Sequence, residues 1–236
     1  MTGMIEIHDV NYNSYVNLVG TAHFTRRSLA DAYTAIKSLT PTDVALELDW
    51  KRFKFLNSAC LACSKRGTCL GICEFIGATD TLGNVDANIW LIDMTEQEMR
   101  DRIRSRSSPF ERSRVRLSRY YTSDEDPVQL WEMGYKDRVI ANSKKRMEAL
   151  RKVSPSIWRV LIDERNAIMA ARLAWITSKN LDQGKREKIL AFVGAAHVEG
   201  IQTLLETPLS IKASLGRLKL PFTQPTLIRR VAIQPV

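Results

Sequence analysis

The sequence predicts an α/β fold, a central mixed and largely parallel sheet flanked by helices with a helical insertion. Three observations carry that expectation. Short β-branched runs alternate with stretches of helical period, helix-start residues follow the strand ends, and two of the strands run into nearly the same hexapeptide.

Taken in order, Met4 to Val10 and Tyr15 to Val19 read as short strands separated by the turn formers Asn11, Asn13 and Ser14. Thr25 can cap a helix from Arg26 to Ser38, and Pro41 closes the connection to a strand at Val44 to Leu48. Ile89 to Ile92 is the next β-branched run, and Thr95 caps a following helix with Glu98 at the capping-box position. A long helical stretch covers Val128 to Lys152 and Pro155 to Thr177, with Ser154 and Pro155 marking a start. Ile189 to Val193 is a further strand before a helix, and Leu227 to Ile233, bounded by Pro225 and Pro235, reads as an edge strand.

The composition is that of a globular chain: 236 residues, 44% apolar, with 35 Lys and Arg against 26 Asp and Glu for a net charge of +9. A single domain over 1–236 is expected, with a cysteine-containing insertion at 56–77 and a helical segment at 127–180. A membrane-spanning helix needs about 20 apolar residues, and the longest apolar stretch, Ile189 to Val198, falls well short of that and contains His197. With Glu6, His8 and Asp9 near the start there is no signal-peptide pattern, so a cytoplasmic location is expected. Neither a dinucleotide fingerprint nor a P-loop is present, because Gly20 and Gly194 lack the required glycine spacing.

Of three histidines, two end the repeated hexapeptide, Leu18-Val19-Gly20-Thr21-Ala22-His23 and Phe192-Val193-Gly194-Ala195-Ala196-His197. Open α/β sheets bind ligands outside the carboxyl ends of their strands, where both imidazoles would stand. Gly at that corner allows an unusual backbone turn, and the small residues leave room beside the ring. Each histidine suits a metal ligand or a general base. Glu47 and Asp49 follow a strand and share one face by alternation, and Asp93 occupies a comparable strand end. Carboxylate with imidazole fits a divalent ion such as Mn or Zn holding a reactive water. On the long helix, Glu164 and Arg172 interrupt an apolar stripe with Leu161 and Ile168. They are too far apart to pair with each other, so each needs a partner across the core, as a salt bridge or in a catalytic or substrate-orienting role.

Together these residues resemble the TraB family, the pheromone-shutdown group related to Tiki proteases and more distantly to erythromycin esterases. The resemblance runs from Gly20-Thr21-Ala22-His23 through Glu47-Leu48-Asp49 with Arg52, Asp93 with Arg102, and Glu164-Arg165 to Gly194-Ala195-Ala196-His197. It implies metal-dependent hydrolysis of a peptide or an ester or amide bond. His23, Glu47 and His197 would be metal ligands or bases, with Glu164 and Arg165 counted among the catalytic residues. Arg52, Asp93, Arg102 and Arg172 would orient a peptide or small-molecule substrate or brace the pocket. Two departures stand out: Met94 follows Asp93 where many members have Arg, and the C-terminal membrane helices of many prokaryotic members have no counterpart, which points to a soluble member.

Two features lie outside that pattern. Cys60, Cys63, Cys69 and Cys73 fall close together, and their spacing is compatible with a zinc site, an iron–sulfur cluster, two disulfides or buried thiols. Residues 100–119 hold Arg100, Arg102, Arg104, Arg106, Arg112, Arg114, Arg116 and Arg119 against two acids, a local charge of +6. Phosphate contact by Arg104, Arg106, Arg112, Arg114, Arg116 and Arg119 is the functional reading, solvated surface the bland one. The competing function class is therefore a basic RNA-binding or ribosome-associated protein that keeps the fold without catalysis.

Overall fold

The structure is a computed structural model that describes residues 5–23, 25–59, 87–117, 126–185 and 188–228, and the backbone of 60 and 61. A 3-10 turn, Tyr12–Ser14, leads into β1, Val16–Thr21. Helix α1, Arg26–Leu39, begins at Thr25, whose hydroxyl accepts the Ser28 N–H, as expected for a cap. Then come β2, Asp43–Leu46; α2, Trp50–Leu61; β3, Asn88–Leu91; and α3, Glu96–Arg106, with Thr95 accepting the Glu98 N–H. Helices α4, Pro109–Leu117, α5, Pro127–Glu132, and α6, Lys136–Val153, follow. Helix α7, Pro155–Trp158, continues through a π-helical stretch, Arg159–Glu164, into α8, Arg165–Asp182. The chain closes with β4, Ile189–Gly194; α9, Ala195–Leu205; α10, Pro208–Leu218; and β5, Thr226–Ile228.

The five strands form one sheet in the order β1-β4-β2-β3-β5, parallel except for the antiparallel edge strand β5. The α/β class thus stands as expected; of the edge strand expected over Leu227 to Ile233, Leu227 and Ile228 lie in β5 and the rest lies outside the described residues. Alternation sorts the strand side chains onto two cores. Val44, Leu46, Ile89, Leu91, Leu190 and Phe192 face α1 and α2 through Ala32, Ile36 and Phe53. Ala45, Trp90, Ile189, Ala191 and Val193 face α8 through its Ala167, Ala170, Ala171 and Ala174. Small residues on both surfaces let this helix lie close to the sheet.

Two local expectations change. Residues 5–10 form no strand: Ile5 enters the core, and the His8 N–H goes to Ser178 Oγ on α8, 3.0 Å away, instead of to a neighbouring strand. The expected helix over Val128 to Lys152 divides at Gly134, whose φ of +92° belongs to glycine and ends α5 before α6 starts.

The two strands that end in GxxH lie side by side, with Gly20 opposite Val193 and Thr21 opposite Gly194. Neither glycine has the positive φ that an unusual turn would require; Gly194 has φ −57°. Space is the reason for both. A Cβ on Gly20 would stand 3.0 Å from Val198 Cγ2 and 3.3 Å from Ala195 Cα, so glycine lets α9 close down on β1. Gly20→Ala is therefore expected to lose about 1–3 kcal/mol by overpacking, read as a lowered urea midpoint at unchanged m-value.

Candidate active site at the strand ends

All four parallel strands deliver a side chain to the same rim. His23 lies just past β1, Glu47 directly follows β2, Asp93 follows β3, and His197 sits in the first turn of α9 after β4. Gly194 is the floor between them. A Cβ there would be 3.3 Å from His23 Nε2, 3.4 Å from Glu47 Oε2 and 3.6 Å from His197 Cδ2. Thr21 Oγ1 stands 3.5 Å from His23 Nδ1.

The first residue of α8 ties the rim together. Arg165 donates Nε–H to Asp93 Oδ1 at 3.0 Å, its NH2 to Asp93 Oδ2 at 2.7 Å and to Glu47 Oε1, and its NH1 to His197 Nε2 at 3.1 Å. Four of its five N–H groups are thus engaged among the described residues. Glu47 Oε2 accepts the Gly194 N–H, and Asn166 Oδ1 lies 2.7 Å from His197 Nδ1.

Arg52 forms a second clamp. Its Nε donates to Asp49 Oδ2 at 2.9 Å and its NH2 to Asp93 Oδ2 at 2.7 Å and to the Met94 carbonyl at 3.0 Å. Asp49 also accepts the backbone N–H groups of Arg52 and Glu96, so one carboxylate holds the starts of α2 and α3. Met94 itself is buried in the core, and Asp93 has its guanidinium partners without an arginine at the next position.

Electrostatics follows from burial and these contacts. Burial pushes the Asp93 carboxyl up, yet the guanidinium groups of Arg165 and Arg52 outweigh it and hold the group well below the usual carboxylate range. Burial lowers the His197 pKa, because a charged imidazole would be desolvated. The Arg165 pKa is raised, since Asp93 and Glu47 overcome its own desolvation.

Not every expected site residue reaches the cleft. Glu164 is fully buried but points elsewhere, to Arg102 and to Arg106 Nε at 2.8 Å, with Arg159 Nε 3.8 Å away. Arg102 and Arg106 also donate to the Leu218 carbonyl at the end of α10, so Arg102 does not orient anything in the cleft. Arg172 backs the site from behind, donating to the Asp93 carbonyl and to Thr223 O and Oγ1 at 3.0 and 2.7 Å. Both buried charges of the long helix have found partners across the core, as their isolation in the apolar stripe required. His8, left without a role by the sequence, pairs with Asp182 at 2.8 Å.

Sequence reasoning missed Asn166, a polar residue in a run of apolar helix positions, and Gly200, a glycine inside a helix one turn after His197. Either could have been noticed, since both are unfavourable in a helix interior without a tertiary reason.

A profile of the TraB/PrgY/gumN family matches residues 88–208, a segment that contains Asp93, Arg165 and His197. The chain belongs to the TraB/PrgY/gumN family. An uncharacterized protein of Methanocaldococcus jannaschii is similar to this TraB-family chain, 30% identical over 219 residues that cover 81% of this chain and 53% of the relative. The chain therefore spans about half the length of that relative. Among the described residues, no helix is long and apolar enough to cross a membrane.

The fold takes up part of the arginine run. Arg100 pairs with Glu96, Arg102 and Arg106 with Glu164, Arg112 donates to the Ser107 carbonyl at 2.5 Å, and Arg114 lies over the Phe110 ring. Arg100, Arg104, Arg114 and Arg116 are exposed, and Arg119 lies outside the described residues. Cys60 falls in the last turn of α2; its side chain, with Cys63, Cys69 and Cys73, lies outside them too.

Proposed function

We propose that this TraB-family chain is a hydrolase of a peptide or an ester or amide bond, with its reaction centre in the space above Gly194. One observation carries the reading: His23 Nε2, Glu47 Oε2 and His197 Cδ2 all lie within 3.6 Å of where a Gly194 Cβ would stand, so the three side chains close on one place beside this glycine. Water bound beside His23 Nε2 gives its proton to that nitrogen as the water oxygen attacks the acyl carbon, and the imidazolium returns a proton to the leaving amine or alcohol as its bond to the acyl carbon breaks. The positive guanidinium of Arg165, held by Glu47, Asp93 and His197, is the group that stabilises the oxyanion developing on the substrate. Glu47, with one oxygen on Arg165 and the other on the Gly194 N–H, positions that guanidinium.

The divalent Mn or Zn ion that the family resemblance implies has to share these atoms. Its would-be ligands Glu47 Oε1 and His197 Nε2 already accept N–H groups from Arg165, and among the described residues no three His, Cys, Asp or Glu side chains form a metal-holding group. In this arrangement the residues do not fit an ion.

Turnover of a panel of peptide and ester substrates is expected to fall about 10²- to 10⁴-fold in His23→Ala, with the urea midpoint unchanged. Full turnover in that variant would overturn the proposal. Elemental analysis of the wild type beside the His23→Ala, His197→Ala double variant tests the remaining choice. Stoichiometric metal that disappears with the histidines would replace the Arg165-centred arrangement by a metal centre. The exposed Arg104, Arg114 and Arg116, with Lys144 and Lys145 on α6, are what a nucleic-acid reading would rest on.

A further inference from the structure

Consecutive residues of α8 grip opposite nitrogens of one imidazole: Arg165 NH1 lies 3.1 Å from His197 Nε2, and Asn166 Oδ1 lies 2.7 Å from His197 Nδ1. A guanidinium can only donate, so Nε2 must accept and carries no proton. The ring proton is then on Nδ1, and the Asn166 amide must present its oxygen to it. The opposite amide orientation would set N–H against N–H. The two contacts together therefore select a single form of the ring, neutral with the proton on Nδ1. That form directs the Nε2 lone pair at the Arg165 guanidinium.

Gly200 makes room for this clamp. It lies one turn after His197 on α9, and a Cβ there would fall inside the contact envelope of Asn166 Nδ2 and only 3.1 Å from its Cγ. A glycine costs about 1 kcal/mol relative to alanine in a helix interior. Its φ is not in the left-handed region, so backbone geometry gives no reason for it. The place of the Asn166 amide does. We infer that Asn166 is a positioning residue that fixes the His197 tautomer, and that Gly200 is the specificity of the helix for that amide. Any catalytic consequence rests on the hydrolase reading, but the tautomer itself does not.

The test uses ring-nitrogen correlation NMR on the full chain labelled at histidine, which has only three such rings to assign. The wild type is expected to show His197 as the Nδ1–H form alone. In Asn166→Leu the buried Nδ1–H has no acceptor, the ring is no longer held against Arg165 and can turn away from it, and the signal becomes a mixture of tautomers. Asn166→Asp, which keeps an acceptor oxygen, restores the single form. Gly200→Ala reproduces the mixture with Asn166 still present, and combining it with Asn166→Leu adds nothing, because both act through one amide. A wild-type Nε2–H form, an unmoved spectrum in Asn166→Leu, or fully additive effects would each overturn the inference. Turnover measured on the same samples separates the two ideas. The expected tautomers without any turnover would sink the hydrolase reading alone, and turnover with the wrong tautomer would sink this inference alone.

Discussion

Arg165→Met is expected to be the most destabilising single change in the cleft, by about 3–5 kcal/mol at neutral pH, the cost of removing one partner from a buried ion pair. Asp93 and Glu47 are both buried, and both lose a charge-assisted donor with the guanidinium. Methionine fills much of the same volume, so the loss is electrostatic and not a cavity. The effect should depend on pH with a definite sign. In the folded protein the Asp93 carboxyl is held below its ordinary value, so its contribution is present above the unfolded value of about 3.9 and is lost as pH falls toward the folded one. Without Arg165 that contribution is reduced at neutral pH, whereas protonation at acid pH removes the buried charge in either protein. The difference between variant and wild type in urea unfolding should thus be largest near pH 7 and shrink on going below pH ~4. Equal differences at both pH values would mean that Asp93 does not depend on Arg165.

The parts of the fold legible in the sequence were those set by local chemistry. Thr25 and Thr95 cap their helices because hydroxyl acceptors before an amphipathic run have one good use, and both do so. The repeated GxxH ends announced a shared rim because parallel strands in one sheet present their carboxyl ends together, and β1 and β4 proved to be neighbours. What the sequence could not convey is which space each residue shares. The glycines at 20 and 194 looked like turn residues, yet they are contact residues, one for Val198 and one for the His23, Glu47 and His197 trio. Arg102, attributed by resemblance to the pocket, leans on Glu164 and α10 instead. Adjacent positions 164 and 165 read as one motif, but neighbouring residues on a helix point about 100° apart, and Glu164 goes to Arg102 and Arg106 while Arg165 goes to the cleft, at the point where a π-helical stretch ends. Such stretches are common at functional sites and have no reliable sequence signature.

That separation leads to a second large effect, of a different kind. Glu164→Gln is expected to lower stability by about 3 kcal/mol, at the low end for breaking a buried pair, because Arg102 and Arg106 are 17% and 26% exposed and can partly rehydrate. For a chain of this size about 2–4 °C per kcal/mol is expected, hence a fall in Tm of roughly 6–12 °C. Glutamine preserves the shape and one acceptor, so the loss measures the carboxylate charge among Arg102, Arg106 and Arg159. Turnover per folded molecule should nevertheless stay near wild type, because Arg165 keeps its contacts to Glu47, Asp93 and His197. Arg165→Lys gives the reverse pattern: a point charge cannot reach two carboxylates and an imidazole at once, so turnover falls even where the fold survives. Thermal unfolding and turnover, measured on both variants under one set of conditions, decide the matter. If Glu164→Gln instead loses turnover as steeply as Arg165→Lys, the two residues act as one unit through the π-helical stretch, and Glu164 belongs to the catalytic apparatus after all.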